Sequence, residues 1–368
     1  MSKKILVTGG AGFIGSYIVD KLVEKGHEVT ILDNLSSTEG KIPDYLNKQA
    51  EFIQGDVRNE ELLKKIIPGF QVIFHEAAAV GIVQSNYEIT NFTDINTFGT
   101  AKLLHTIVNS KTKPKLIITA SNTTYGEGLY SCDTCGTFHP QIRTSKQIEE
   151  HGFEPICPRC KKPGKPIPTP ETTELNCNSV YALTKKTQEE LAMFLGKLYN
   201  FPVVLLKCFN VFGPRQSLSN PYTGVSAIFM SRVKNGNPPS IYEDGLQTRD
   251  FIYVGDVVRA NLLAMEKPEA DFQIFNIGSE SPVTIKALAE EICRLYGKPP
   301  EYEVNNKFRK GDIRHCIADI SKIKKLLGWQ PQISFKKGLE EIHKWAQTQE
   351  SRDDFEKADK ELKEKGLV

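Results

Sequence analysis

The sequence predicts a doubly wound α/β fold: a parallel sheet with helices on both faces, a smaller C-terminal lobe and one cysteine-bearing insertion. Three observations carry this. Short apolar runs alternate with helical periodicity as far as Ser121. A glycine-rich turn follows the first run, and an acid ends the second. Two Cys-x-x-Cys pairs, Cys132/Cys135 and Cys157/Cys160, stand 21 residues apart between segments that otherwise read as one site.

The first strand is expected over Lys4 to Thr8, and Gly9-Gly10-Ala11-Gly12-Phe13-Ile14-Gly15 then opens a helix ending near Gly26. A second strand, Glu28 to Leu32, stops at Asp33. Strands follow at Glu51 to Gly55, Val72 to Glu76 and Lys115 to Ser121, with helices near Glu60 to Ile67 and Asp94 to Asn109. Strand, glycine turn, helix, strand and acid form the pattern of a dinucleotide-binding Rossmann unit. Gly9, Gly12, Phe13, Ile14 and Gly15 are expected to bring backbone amides and a helix N-terminus to a pyrophosphate. Asp33 stands at the distance suited to ribose hydroxyls. With Asn34 beside it and no arginine, Asp33 repels a 2′-phosphate and predicts NAD over NADP. Asp56 and Val57, ending the third strand, are placed to meet adenine, and Ala77, Ala78 and Ala79 leave the cofactor room to pass.

The chain has 368 residues, 47 basic and 45 acidic, for a net charge of +2. That balance offers no basic field for nucleic acid and no bias toward a membrane surface. No apolar run approaches a membrane span. The opening residues read as a strand, not a signal peptide, and a cytoplasmic protein is expected. Of eight cysteines, Cys177, Cys208, Cys293 and Cys316 are scattered. The other four have the paired spacing that, in a reducing compartment, binds metal more often than it forms disulfides. Four thiolates predict a closed, structural zinc ribbon, with Gly136 and Pro158 in its knuckles and His139 and His151 as bystanders. Because the insertion leaves a strand's C-terminal end, it is expected to overhang the active-site side of the sheet. The expected organisation is a Rossmann domain of residues 1–127 and 168–212, a ribbon of 128–167, a mainly substrate-binding lobe of 213–346, and a charged tail of 347–368. The tail reads as a solvated helix without chemistry.

Asn178-Ser179-Val180-Tyr181-Ala182-Leu183-Thr184-Lys185 begins a helix running to about Tyr199. Spacing of four puts Tyr181 and Lys185 on one face. A lysine ammonium beside a phenol favours the phenolate, so Tyr181 is read as a base and Ser121 as its hydroxyl partner.

Taken with Asp56-Val57, His75-Glu76-Ala77-Ala78, Asn96-Thr97-Phe98-Gly99-Thr100, Phe209-Asn210-Val211-Phe212-Gly213-Pro214, Arg249-Asp250-Phe251-Ile252, Asn276-Ile277-Gly278 and Arg309-x-x-Asp312, these motifs resemble the extended short-chain dehydrogenase/reductase family of nucleotide-sugar epimerases and dehydratases. The resemblance runs from Lys4 to about Pro331. It implies resident NAD, a nucleotide-diphosphate sugar as substrate, and Ser121, Tyr181 and Lys185 as the catalytic trio. It also implies that Asn96, Tyr181 and Lys185 contact the cofactor. On the substrate side it implies Asn122 and Thr123 beside the sugar, Asn210 at the sugar or diphosphate, Arg249 at the diphosphate, and Arg309 and Asp312 at the nucleotide end. The helices near Asp94–Asn109 and Tyr181–Tyr199 are those that pair across a homodimer in relatives.

The 4,6-dehydratases of this family carry an Asp-Glu pair after the hydroxyl residue, where Asn122-Thr123 stand here. Epimerases acting at carbons three and five carry a cysteine in place of Thr123. Without an added acid or base, the expected reaction uses Tyr181 twice: a sugar carbinol, most simply C4, is oxidised and then reduced from its opposite face. The cysteine insertion and Ser219-Asn220-Pro221-Tyr222-Thr223-Gly224 resemble a subgroup, the dTDP-L-rhamnose 4-epimerases. The alternatives are a 4-epimerase of another sugar nucleotide, a CDP-sugar 2-epimerase, a 4-ketosugar reductase or dehydratase, and an inactive NAD-binding interaction protein.

Overall fold

The computed structural model describes residues 2–368. Its main sheet has seven strands: β1 (Lys4–Thr8), β2 (Glu28–Asp33), β3 (Glu51–Gln54), β4 (Val72–His75), β5 (Lys115–Ser121), β6 (Val203–Cys208) and β7 (Gln273–Ile277). They lie in the order β7-β6-β5-β4-β1-β2-β3, all parallel. The order reverses at β1 and β4, which opens a crevice at the strands' C-terminal ends.

Side-chain alternation explains the two covered faces. Ile5, Val7, Ile117, Val204 and Leu206 enter one core, with Ile18, Val19 and Leu22 of the helix Phe13–Glu24 and Val257 of the helix Val254–Glu266. Leu6, Leu116, Ile118, Val203 and Leu205 enter the other, against Leu63, Leu103, Leu104, Ile107 and Ala192. The expected helix near Asp94 begins earlier: helical turns Ile89–Phe92 and Gly99–Asn109 are joined by a π-helical stretch, Thr93–Phe98.

The C-terminal part has its own apolar core. The strand Asn210–Phe212 pairs parallel with Thr248–Tyr253, which pairs antiparallel with Pro282–Thr284. Phe212, Phe251, Met230, Ile292 and Leu339 pack there. In the insertion, Leu129–Cys132, Gly136–Phe138 and Lys165–Thr169 form an antiparallel sheet. A fourth strand, Ile317–Ala318, joins it from the C-terminal part.

The tail departs from the solvated helix expected of it. Phe355–Glu364 is helical, but Ala358 and Leu362 are buried and Asp359 accepts from the Tyr242 hydroxyl at 2.6 Å. Glu361 accepts from Tyr222 at 2.6 Å, and Tyr222 accepts from Tyr87 at 2.9 Å. The charged residues that read as a solvated surface include these two acceptors. No helix among the described residues is long and apolar enough to cross a membrane.

Candidate active site

After β1 the chain turns at Gly9, with φ +71° and its amide bonded to the Leu32 carbonyl at 2.8 Å. A Cβ on Gly9 would lie 2.6 Å from the Ala77 nitrogen, and one on Gly15 would lie 2.2 Å from the Gly9 carbonyl oxygen. Glycine is therefore the residue that lets the β1 and β4 loops close on the helix start. Gly12 precedes the helix Phe13–Glu24 without any side-chain cap, which leaves amide donors and the positive helix end for an anion. The Phe13 ring meets Tyr17 and Ile14 packs on the core, so both offer the turn their backbone.

Asp33 is buried, and its carboxylate accepts from Ala11 N at 3.0 Å and Leu35 N at 2.8 Å. Burial raises its pKa against those bonds. Asn34 donates to Asp56 at 2.7 Å. Asp56 is held at a pKa of about 2, chiefly by its hydrogen bonds from Arg58, which also reaches Asp94 at 2.6 Å. Val57 beside it is buried. Asn96, in the π-helical stretch, accepts from Ala79 N at 2.8 Å and donates to Ala79 O at 3.1 Å and Thr184 Oγ1 at 3.0 Å. Its amide is spent on tying the Ala77–Ala79 loop to the tyrosine helix, a positioning task.

The tyrosine helix, Val180–Leu198, is capped by Ser179, whose hydroxyl accepts from Ala182 N at 3.2 Å. Ser85 Oγ accepts from Tyr181 N at 2.8 Å. The Tyr181 ring stands edge-on to Phe92, and the Ser121 side chain acts to lower its hydroxyl's pKa. Ser121 Oγ lies 2.9 Å from Thr123 Oγ1, so these two hydroxyls are bonded to each other. Lys185 donates to Thr119 O and Gln188 Oε1, each at 2.8 Å. Thr119 in turn donates to Glu76 Oε1 at 2.8 Å.

Burial governs the charges here. It pushes Tyr181 up to about 12 in spite of Ser121, and pulls Lys185 down to about 8. It lifts Glu76 to about 7 and drops His75 to about 3. The expected lowering of the phenol by Lys185 is not seen. The ammonium spends hydrogen bonds on Thr119 and Gln188, and desolvation of the phenolate outweighs it.

Beneath the Asn122–Tyr125 turn, Lys207 forms a buried ion pair with Glu189 and donates to Thr124 Oγ1 at 2.7 Å. Sequence reasoning missed Glu76, Glu189 and Lys207. A signal existed for Glu189: it lies four residues beyond Lys185, on the Tyr181 face.

The substrate-side residues fall into two groups. Asn122 and Thr123 are buried beside Ser121. Asn210 holds a buried Oδ1 without a partner. Farther along, Arg249 donates to Thr248 O at 2.8 Å and Arg314 O at 3.4 Å and pairs with no carboxylate among the described residues. A half-buried guanidinium without a carboxylate partner suits a diphosphate. Arg309 instead pairs with Asp312 at 2.7 Å and stacks 4.6 Å from the Tyr242 ring.

Residues 5–278 match the NAD dependent epimerase/dehydratase family. The chain belongs to that family. A dTDP-L-rhamnose 4-epimerase of Burkholderia thailandensis is 34% identical over 351 residues, 93% of this chain and 94% of that one. A UDP-glucose 4-epimerase of Thermotoga maritima, solved with UDP-glucose, superposes with a TM-score of 0.77 at 34% identity, covering 94% of this chain and 98% of that one. A Thermus thermophilus UDP-glucose 4-epimerase solved with NAD gives 0.76 at 27%, covering 94% and 99%.

In this epimerase/dehydratase the four paired cysteines converge: their sulfurs all lie within 4.8 Å of one another, with Cys132 and Cys160 at 3.5 Å. Amide hydrogen bonds from Cys160 and Arg159 bring Cys157 down to about 6, and those from Thr134 and Cys135 lower Cys132. Four soft donors this close together fit a zinc ion, although burial pushes the Cys135 thiol up to about 12. His139 is not among them; it donates to the Tyr125 carbonyl at 2.7 Å.

Proposed function

We propose that the chain is an NAD-dependent nucleotide-sugar 4-epimerase acting through Tyr181, Ser121 and Lys185. The observation that carries this is the bonded hydroxyl pair Ser121–Thr123, buried with Tyr181, with Asn122 and Thr123 where an eliminating enzyme needs carboxyl groups. NAD, when bound, supplies the reversible hydride acceptor that makes a carbinol a ketone and back. Tyr181, in its phenolate form, would take the proton from the C4 hydroxyl and return it after the 4-ketosugar has turned over. Ser121 and Thr123 hold the sugar oxygen, and Lys185 supplies the positive charge that favours the phenolate before the proton is taken. Gly9, Gly12, Phe13, Ile14 and Gly15 would hold the pyrophosphate, and Asp33 a ribose. Asn210 and Arg249 are assigned to the sugar diphosphate, and Arg309 and Asp312 to the nucleotide.

The family relatives named above support a dTDP- or UDP-sugar, and the cysteine insertion favours dTDP-L-rhamnose. The insertion is read as a zinc ribbon and the protein as cytoplasmic. Phe98, Leu183, Phe194, Leu198 and Tyr199 expose large apolar surfaces on the two helices expected to pair, which supports a homodimer. Sedimentation of Phe194→Glu beside the native protein tests it. Incubation with a panel of sugar nucleotides, followed by NMR, tests the reaction: C4 epimers are expected, and a product lacking water or at a changed redox level would sink the assignment.

A further inference from the structure

We propose that Arg143, carried by the inserted ribbon, is a positioning residue for the nucleotide-diphosphate end of the substrate, an inference that rests on the nucleotide-sugar reading above. Its side chain is buried and lies where three parts of the chain meet. Nε donates to Glu127 at 2.7 Å, Nη1 reaches Glu243 at 2.9 Å and Phe153 O at 3.1 Å, and Nη2 donates to Asp312 O at 3.0 Å. The guanidinium also stands 5.1 Å from the Phe308 ring.

The contacts with Asp312, Glu127 and Glu243 lead toward the substrate residues. Asp312 O belongs to the residue that pairs with Arg309. Glu127 follows the Asn122–Tyr125 turn, and its other oxygen accepts from Arg314 N at 2.6 Å. The Arg314 carbonyl accepts from Thr248 N at 3.1 Å and from Arg249 Nη1. Arg314 then returns to the ribbon through Glu154 at 2.6 Å and to Glu243 at 2.8 Å. Glu243 takes a left-handed backbone, φ +54°, which a non-glycine residue holds only when its surroundings impose it.

A ribbon that only needed fastening could use apolar contacts. Burying this many ions is costly, and what it supplies is a fixed register. Without Arg143, Glu127 and Glu243 lose a cation beside Asp312 and Arg249, so the loop loosens and the local field turns against an incoming diphosphate.

The test uses the intact holoenzyme with Arg143→Lys and Arg143→Met. Calorimetry with dTDP and UDP is expected to show roughly tenfold weaker binding for Lys and more for Met, because an ammonium cannot serve four acceptors in a plane. KM for the sugar nucleotide should rise in step, with kcat within about threefold, and metal and NAD content per chain unchanged. Glu154→Gln, at the half-exposed rim, keeps the test open if Arg143 variants fail to fold; a roughly threefold weakening is expected there. Native-like dTDP and UDP affinity in a folded Arg143 or Glu154 variant, or a fall in kcat with KM unmoved, would overturn the clamp alone. A native enzyme that binds neither nucleotide would overturn the substrate reading and the clamp with it.

Discussion

The tyrosine pocket and the ribbon–lobe cluster are both buried and both rich in ionisable groups, yet they meet the same burial penalty with different partners. In the pocket each group moves toward its neutral form: Tyr181 and Glu76 upward, Lys185 and His75 downward. In the cluster, against the same penalty, hydrogen bonds from His315 and Arg314 hold Glu154 down and one from Arg314 holds Asp244 down, while Asp244 and Glu154 push Arg314 up. The difference is partnering. Pocket groups donate mostly to neutral oxygens and keep protons that can move. In the cluster Glu154, Asp244 and Arg314 face opposite charges across short distances that favour their ionised forms, which suits holding a shape, while burial still raises Glu243.

The most damaging way to break the pocket is Tyr181→Phe. It is expected to lower kcat by on the order of 10³ with little change in thermal stability, followed by NMR of the epimeric product and a melting curve. Next, Cys157→Ser, or chelation of the native protein, attacks the insertion that carries Arg143. Bound zinc should fall, and stability should drop by on the order of several kcal/mol, read by metal analysis and denaturant unfolding.

Glu76→Gln sharpens the contrast through pH. Its folded pKa, about 7, lies above that of an unfolded glutamate, so the native state binds the extra proton between those values. Stability is therefore lost as pH rises through that window. The variant should gain roughly 1–2 kcal/mol on the native protein between pH 4.5 and 7.5 in urea titrations. His75 has the opposite slope, and it cancels because both proteins contain it. The smallest effect is expected from Asp244→Asn: the side chain is about one-third exposed, so losing its pair with Arg314 should cost about 0.5–1 kcal/mol, measured the same way.

Much of the fold was legible because it is written locally. Apolar alternation located β1 through β5 to within a residue, and the glycine turn announced the helix Phe13–Glu24. Tyr181 and Lys185 were legible because helical spacing alone places them together. Asp94 misled as a helix start, since the chain is already helical from Ile89 and Asn96 occupies a π-helical stretch that periodicity does not reveal. The ion cluster could not be read at all. Glu127, Arg143, Glu154, Glu243 and Arg314 come from three distant stretches, and each alone looks like a solvated charge. Charge signs were legible; which of them end up dry depends on tertiary packing.

The docked tail has a practical side. Lys310 N donates to the Leu367 carbonyl at 3.0 Å, and Lys310 Nζ to Gly366 O at 2.9 Å. A fusion joined at Val368 would begin one residue from the loop that carries Arg309. Ser2 precedes β1, at the strands' N-terminal ends and away from the crevice, so an affinity handle or fluorophore placed there leaves that loop undisturbed, whereas one at the other end would report on itself.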